Sequence, residues 1–195
     1  MNPGLDEPGF PAGRLLGQLR ELALQDRLWG DKLWAVRAYP KGHVLFDPDN
    51  APADLFILTK GLIKLVYVTP EGDERIKSFI ADQGLFAVED TGPAFGARTL
   101  EPSTIIRIPL PWLQQQIAEN ADLQRAYGQF ADWVRQRKSR REQALLCDSA
   151  AERFRAMQML EPGLLSRLSQ GDIARYLGIT PIAFSRIKRR LSAAG

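Results

Sequence analysis

Four cationic side chains lie close together in the stretch "SRIKRRL" of this 195-residue chain: Arg186, Lys188, Arg189 and Arg190. An arginine guanidinium can donate two hydrogen bonds to guanine in the major groove, and both arginine and lysine bind DNA phosphates. The basic charge is regional, because residues 135–195 hold 13 Lys/Arg against 5 Asp/Glu whereas residues 1–134 hold 13 against 18. This balance indicates a polyanion-binding module, although a basic solvated surface would produce it too.

The chain has few of the residues that catalytic, metal or redox sites require. His43 is the only histidine and Cys147 the only cysteine, which argues against a Ser-His-Asp site, an ordinary zinc site, an internal disulfide and an iron–sulfur cluster held by the chain's own thiolates. Glu89 and Asp90 are adjacent, but no second catalytic partner or phosphate-binding motif accompanies them. We therefore predict no enzyme activity and no cofactor, while a haem bound through His43 or Cys147 stays an alternative.

The stretch "LSQGDIARYLGITPIAFSRIKRRL" predicts the elements that would position the cations. Ser169, followed three residues later by Asp172, indicates a capped helix start. Gly178 can adopt the left-handed conformation that ends this helix, and Thr180 followed by Pro181 starts the next one. Two short helices joined by so tight a turn are typical of a helix-turn-helix.

The second of these helices has two unlike faces at 100° per residue. Three apolar residues would pack inwards: Phe184, Ile187 and Leu191. The opposite face would enter the major groove of double-stranded DNA. We predict DNA contacts from residues of this face, its flanks and the preceding helix: Arg175, Thr180, Ile182, Ser185, Arg186, Lys188, Arg189 and Arg190.

Two patterns precede this unit. A leucine-rich stretch predicts a helix over residues 13–29, and helical periodicity returns over residues 110–146. Between them, glycine-punctuated apolar pieces predict six short strands: "AVRAYP", "HVLFD", "DLFILTK", "LIKLVYVT", "RIKSFIA" and "STIIRIP". The stretch "TPEGDE" predicts a hairpin turn.

An apolar stripe in the later helix recurs at alternating four- and three-residue steps: Leu123, Tyr127, Phe130 and Val134. Such spacing is typical of paired helices, so we predict a homodimer with this stripe as its interface. A stripe packed on its own domain is the alternative. Arg137 and Arg141 continue the stripe and would weaken the seam towards its end.

The chain resembles the Crp/Fnr family of bacterial transcription regulators over roughly residues 12–191. The resemblance rests on three features: corner glycines between strands, one long helix and a helix-turn-helix. "YPKGHVLFDPDNAPADLFILTKGLIKLVYVTPEGDERIKSFIADQGLF" looks like its β-roll of the cyclic-nucleotide-binding type, and "GITPIAFSRIKRRL" looks like its recognition helix. The resemblance implies an α+β fold in three parts: a β-roll sensor-like domain with an N-terminal helix over residues 1–118, a dimerisation helix over 119–147 and a DNA-binding helix-turn-helix domain over 148–195.

The resemblance also implies partners. Dimers of the family bind two-fold symmetric DNA. An effector bound in the roll alters the spacing between the two DNA-binding domains of the dimer. RNA polymerase is a candidate partner. Arg186 matches the family's base-contacting arginine, whereas Ile182 stands where the family often has Glu, which puts the usual half-site in question. The end of the chain is similar to a short subgroup that lacks the β-hairpin wing.

The effector cassette departs from the family pattern. Members that bind cyclic AMP have a Gly-Glu pair and then an Arg-Ser or Arg-Thr pair, but here Val88 takes the glycine position and Pro93 or Ala94 takes that of the arginine. We therefore expect a degenerate cassette without cyclic AMP binding. A regulator gated by another nucleotide or small molecule is the alternative, with this candidate effector pocket: Val88, Glu89, Arg98, Thr99 and Trp133.

The sequence also bears on location. Its apolar runs are shorter than the roughly 18 residues that a membrane span needs. The start "MNPGLDEPGFPAGR" lacks the basic residues and apolar stretch of a signal peptide. We expect a cytoplasmic protein that does not associate with membranes.

Overall fold

Eight strands form a β-roll in the computed structural model, which describes residues 12–26, 30–88 and 92–192. They are β1 (Arg37–Tyr39), β2 (Val44–Phe46), β3 (Asp54–Lys60), β4 (Leu62–Val68), β5 (Glu74–Ala81), β6 (Leu85–Ala87), β7 (Gly96–Thr99) and β8 (Ser103–Pro109). All pairings are antiparallel, within sheet I (β1-β8-β3-β6) and sheet II (β2-β7-β4-β5).

Helices flank the roll on both sides. The described helices are α1 (Ala12–Gln25), α2 (Gly30–Leu33), α3 (Leu110–Glu119), α4 (Ala121–Cys147), α5 (Ala150–Leu160), α6 (Pro162–Leu165), α7 (Gln170–Tyr176) and α8 (Pro181–Ser192). The predicted α+β class, with a roll, a long helix and a helix-turn-helix, is thereby confirmed. The predicted N-terminal helix ends earlier than expected, at Gln25, and part of its predicted range lies outside the described residues.

The six predicted strands are confirmed as β1 to β5 and β8, and the predicted hairpin joins β4 to β5. Its turn closes with Thr69 N–H donating to the Asp73 carbonyl at 3.0 Å, and Gly72 adopts φ +85°. Strands β6 and β7 lie outside the six predicted pieces. Gly61, between β3 and β4, has φ +112°, and a Cβ there would lie 2.3 Å from Ser103 Oγ.

Phenylalanine rings fill the space between the two sheets. Phe56 and Phe86 stack with centroids 4.8 Å apart, and Phe46 packs against both and against Phe95. All four rings are buried. The interior of the roll is therefore a packed apolar core.

The outer face of sheet I is covered by α1, α3 and the start of α4. The helical periodicity predicted over residues 110–146 forms two helices, because Asn120 ends α3 and caps α4. Its side chain accepts hydrogen bonds from Asp122 and Leu123 N–H, both at 3.0 Å. Leu123 is fully buried in this layer, next to Leu113 and Ile108.

The outer face of sheet II is covered by the last four helices. Leu62, Val66, Ile76 and Phe79 from β4 and β5 share one buried cluster with apolar residues of α5 to α8. The Phe79 ring meets Tyr176 of α7 at 5.2 Å. The helix-turn-helix unit is thus built onto the roll of its own chain.

One arginine also ties these two parts together through polar contacts. Arg167, just before α7, donates to Asp82 at 2.6 Å, to both oxygens of Glu101 at 3.0 and 2.6 Å, and to the Gly61 carbonyl at 3.0 Å. These acceptors lie on three separate turns of the roll. We call this set of contacts the Arg167 clasp.

The clasp shifts the ionisation of its carboxylates. Hydrogen bonding to Arg167 lowers the pKa of Glu101. Burial alone would raise the pKa of Asp82, but hydrogen bonds from the Gly61 N–H and Arg167 outweigh it and lower the pKa. Both carboxylates are therefore charged at neutral pH, and the Arg167 guanidinium stays charged as well.

We predict that Arg167→Gln lowers the free energy of unfolding by about 1–2 kcal/mol at neutral pH, because charge-assisted hydrogen bonds are lost from a partly exposed site. Since the folded-state pKa values of Asp82 and Glu101 are lowered, this stabilisation is present above the ordinary carboxyl pKa of about 4 and disappears as the pH falls through the lowered values. Urea unfolding at a series of pH values measures the difference between the two proteins.

The control for this experiment is Arg189→Gln, at an exposed position outside the clasp, which should change stability by less than about 0.5 kcal/mol. A wild-type advantage over Arg167→Gln that is the same in acid as at neutral pH would contradict the prediction.

Candidate nucleic-acid interface

The first helix of the helix-turn-helix begins at a side-chain cap. Ser169 Oγ accepts a hydrogen bond from Asp172 N–H at 3.0 Å and donates to the Asp172 carboxylate at 2.6 Å. Serine is a favoured cap because its oxygen satisfies an amide that has no partner within the helix. Ala174, at 0% exposure, lies on the buried side of this helix.

The turn between α7 and α8 is fixed by a glycine. Gly178 has φ +73°, its N–H donates to the Arg175 carbonyl at 3.2 Å, and Ile179 N–H donates to the Ala174 carbonyl at 3.0 Å. These two bonds define a Schellman motif, which uses the left-handed region that favours glycine. Thr180 Oγ1 then caps α8 by accepting from Ala183 N–H at 3.2 Å.

The inner face of α8 anchors it to the rest of the unit. Phe184 is 1% exposed and meets Phe154 of α5 edge to face, with centroids 4.9 Å apart. Ile187 and Leu191 are partly buried against the same cluster. Their positions on one side of the helix agree with the sequence analysis.

The outer face of α8 is exposed and cationic. Ser185, Arg186, Arg189 and Arg190 are exposed, Lys188 is half-buried, and Ile182 is 69% exposed. The sequence of α8 contains no acidic residue. Its positive charge is therefore not offset within the helix.

The remaining predicted DNA contacts lie next to this face. Thr180 is exposed at the start of α8, and Arg175 is exposed on α7, 3.5 Å from the Asp172 carboxylate. The fold thus brings all eight predicted residues to the turn and α8 region of one unit.

Two arginines that position this unit were missed by the sequence analysis. Arg141 donates to the carbonyls of Ile76 and Tyr176, both at 3.1 Å, and its guanidinium lies 3.8 Å from the Tyr176 ring centroid. Arg153 donates to the Leu177 carbonyl at 2.7 Å and to the Ala144 carbonyl at 3.2 Å. No local sequence signal identifies these contacts, because each joins an arginine to the main chain of another element.

The four described residues of the predicted effector pocket have different neighbours in the fold. Arg98 pairs with Glu74 at 3.2 Å and Asp47 at 3.6 Å, and Thr99 is buried with its hydroxyl donating to the Pro40 carbonyl at 2.7 Å. Val88 packs against the phenylalanine core and Trp133 lies on α4, whereas Glu89 lies outside the described residues.

The described residues form neither a metal site nor a membrane-spanning helix. Within residues 12–26, 30–88 and 92–192, no group of three or more His, Cys, Asp or Glu is arranged to hold a metal ion. None of the helices described for this chain is both long and apolar enough to cross a bilayer. Cys147 is exposed at the end of α4, and His43 lies beside Tyr39 with ring centroids 5.0 Å apart.

Known proteins of similar sequence are bacterial regulators. The family model described as "Cyclic nucleotide-binding domain" matches residues 36–120. The fumarate and nitrate reduction regulatory protein of Escherichia coli K12 is 26% identical over 170 residues, which cover 80% of this chain and 68% of the relative. Electron transport regulator A of Shewanella oneidensis is 27% identical over 172 residues, with the same two coverages.

Solved structures extend the similarity to the whole fold. FixK2 from Bradyrhizobium japonicum superposes with a TM-score of 0.72 at 19% identity, covering 83% of this chain and 86% of that one. Its overlap is longer than residues 36–120, so the shared architecture continues beyond the roll. In its domain match, its sequence and its architecture, the chain is thus similar to regulators of the Crp/Fnr family, which are DNA-binding transcription regulators.

Proposed function

We propose that this chain binds double-stranded DNA sequence-specifically as a homodimer, with α8 in the major groove of each half-site. The observation that carries the proposal is the exposed, acid-free cationic face of α8, held rigidly by the Gly178 turn and the Phe184 anchor. A recognition helix needs an exposed cationic face to contact DNA, and it needs a fixed position because side chains must be held in place to bond to base edges.

The exposed side chains of α8 suit different contacts. Arg186 is at mid-helix on the outer face, where a guanidinium can donate two hydrogen bonds to guanine. Ile182 offers an exposed apolar group that suits the methyl group of thymine. Lys188 and Arg190 lie on the flanks, where phosphate oxygens are the nearer partners, and Arg189 can serve either role.

The proposed dimer pairs through α4, with an interface narrower than the predicted stripe. Leu123 is buried in its own chain, so it cannot reach a partner, and Phe130 is partly buried against the same layer. Tyr127, Ala131 and Val134, by contrast, lie on one face of α4, four and three residues apart. Tyr127 is 37% exposed, so its ring is available to a partner. This line of three residues is the seam that we propose.

The seam borders an uncovered groove. Tyr127, Ala131 and Val134 line a space of ≈ 490 Å³ between α4 and the roll, together with apolar residues such as Leu85 and Phe86. We assign the α4 helix of a second copy as its cover, since pairing two such helices would remove apolar surface from water on both chains.

We also propose that the cyclic-nucleotide cassette is degenerate. Pro93 and Ala94, at the position of the family's arginine, are exposed and offer no cation to a phosphate. The phenylalanine core supports the proposal as well, because a nucleotide between the sheets would have to displace buried rings such as Phe46 and Phe56.

The reading role of α8 gives a first prediction. Arg186→Ala should cost about 1–3 kcal/mol of operator binding and relax the preference at one base pair per half-site. Lys188→Ala and Arg190→Ala should instead weaken operator and random DNA alike and flatten the salt dependence. The measurement is binding to an operator selected from genomic fragments, and to random DNA, across a salt series.

Arg125→Ala provides the control, since Arg125 is an exposed arginine of α4 far along the chain from α8. If Arg186→Ala leaves the ratio of operator to random affinity unchanged, α8 is not the reading helix.

The seam gives a second prediction. Replacing Ala131 and Val134 together with Glu should yield folded monomers that bind operator DNA weakly, because two carboxylates would face two others across the seam. Sedimentation equilibrium measures the mass. The matched control replaces Gln129 and Gln143, exposed and on another side of α4, with Glu, and should stay dimeric. A wild-type protein that is monomeric at micromolar concentration would refute the dimer.

The cassette gives a third prediction. Calorimetry should detect no saturable cyclic AMP binding in the micromolar range, because the charge-assisted hydrogen bonds that the family's arginine would make, about 1.5–3 kcal/mol each, are absent. A family member that binds cyclic AMP serves as the positive control. Micromolar affinity for cyclic AMP in this chain would overturn the degenerate-cassette proposal.

A further inference from the structure

A second cavity lies between the last third of α4 and the helix-turn-helix unit. Its volume is ≈ 360 Å³, and its walls come from α4, α5 and α7. Sites for small molecules commonly have volumes of about 300–1,000 Å³, mostly apolar walls and a few convergent polar groups. Ala144, Met157 and Leu177 provide the apolar part of the wall here.

The polar part of the wall carries an excess of positive charge. Four guanidinium groups and two carboxylates line the cavity: Arg137, Arg140, Arg141, Arg153, Asp148 and Glu161. Arg141 and Arg153 are fixed by backbone carbonyl groups, which carry no net charge to offset theirs. In the described part of the chain, the Arg140 side chain makes no hydrogen bond or ion pair.

Aromatic side chains lie beside these cations. The Arg137 guanidinium is 4.7 Å from the centroid of the Trp133 indole, and both residues line the cavity. Tyr176 lines it as well, and burial raises the pKa of its phenol, so the hydroxyl stays protonated at neutral pH. A wall of this composition can stack on a flat ring and bind a negative group at its edge.

We propose that this cavity binds a small aromatic anion, a ring that carries a phosphate or carboxylate group, and that its occupancy changes the affinity of the helix-turn-helix for DNA. The ligand would contact the long helix and the DNA-reading unit at once, so it would bind most tightly to one arrangement of the two. The binding step stands by itself, whereas the regulatory step rests on the proposed function.

The proposed dimer leaves one side of this cavity accessible. At 100° per residue, Gln136, Arg140 and Ala144 lie about 110–170° around α4 from the seam of Tyr127, Ala131 and Val134. Arg141 and Leu145 lie within about 50° of the seam, and Arg141 lines both the cavity and the groove beside the roll. A second copy on the seam would therefore leave the Arg140 side of the cavity open. The site also differs from the interior of the roll, which phenylalanine rings occupy.

Calorimetry with naphthyl phosphate on the full chain tests the binding step. We expect one site per chain with Kd of about 1 mM or tighter, and at least about 10-fold weaker binding of inorganic phosphate, which lacks the ring, and of naphthol, which lacks the charge. Arg140→Gln should weaken naphthyl phosphate about 5- to 10-fold, and Trp133→Leu by a similar factor.

The matched control is Arg125→Gln, the same substitution on the same helix but outside the cavity, which should leave the affinity within about twofold. If Trp133→Leu does not fold, the exposed position 140 still decides the test. No saturable binding by the wild type, or equal affinities of Arg140→Gln and Arg125→Gln, would overturn the site.

Linkage tests the regulatory step. Naphthyl phosphate should change the Kd for selected operator DNA at least about fivefold, and saturating operator should change the Kd for naphthyl phosphate by the same factor. Operator binding that the probe leaves unaltered would overturn the regulatory step while leaving the ligand site intact. A chain that selects no operator but binds the probe would instead refute the proposed function.

Discussion

The apolar outer face of sheet II is the constraint on which the rest of the molecule depends. Strands β4 and β5 present Leu62, Val66, Ile76 and Phe79 on the side away from the phenylalanine core, and these side chains need a cover. The helix-turn-helix unit is that cover. Burial of apolar surface thus fixes the helix-turn-helix unit to the roll, since it is the dominant favourable force in folding.

Apolar contact alone would leave the orientation of the unit loosely defined, and directional contacts at three places remove that freedom. Arg167 bonds to three turns of the roll, Arg141 bridges β5 and α7, and Arg153 connects the end of α4 to the turn before α8. Each guanidinium has several donors in a fixed plane, which suits it to bridging acceptors on different elements.

The long helix α4 contacts both the roll and the helix-turn-helix unit. Its first turns are buried against sheet I, whereas its last third faces the helix-turn-helix unit across the cationic cavity. A ligand or a second chain bound to α4 would therefore act on the element that joins sensor and reader.

Local sequence determined much of the fold and of the candidate site. The helix-turn-helix could be predicted because caps, the left-handed Gly178 and the two faces of α8 depend on residues within a few positions of each other. The strands and the β4–β5 hairpin followed from apolar runs and glycines in the same way. Only the tertiary structure decided that Leu123 is buried in its own chain and which carbonyls Arg141 and Arg153 bind. The physical reason is distance along the chain: Arg167 and Gly61 are 106 residues apart, and no local spacing encodes a contact that exists only after two elements have packed together.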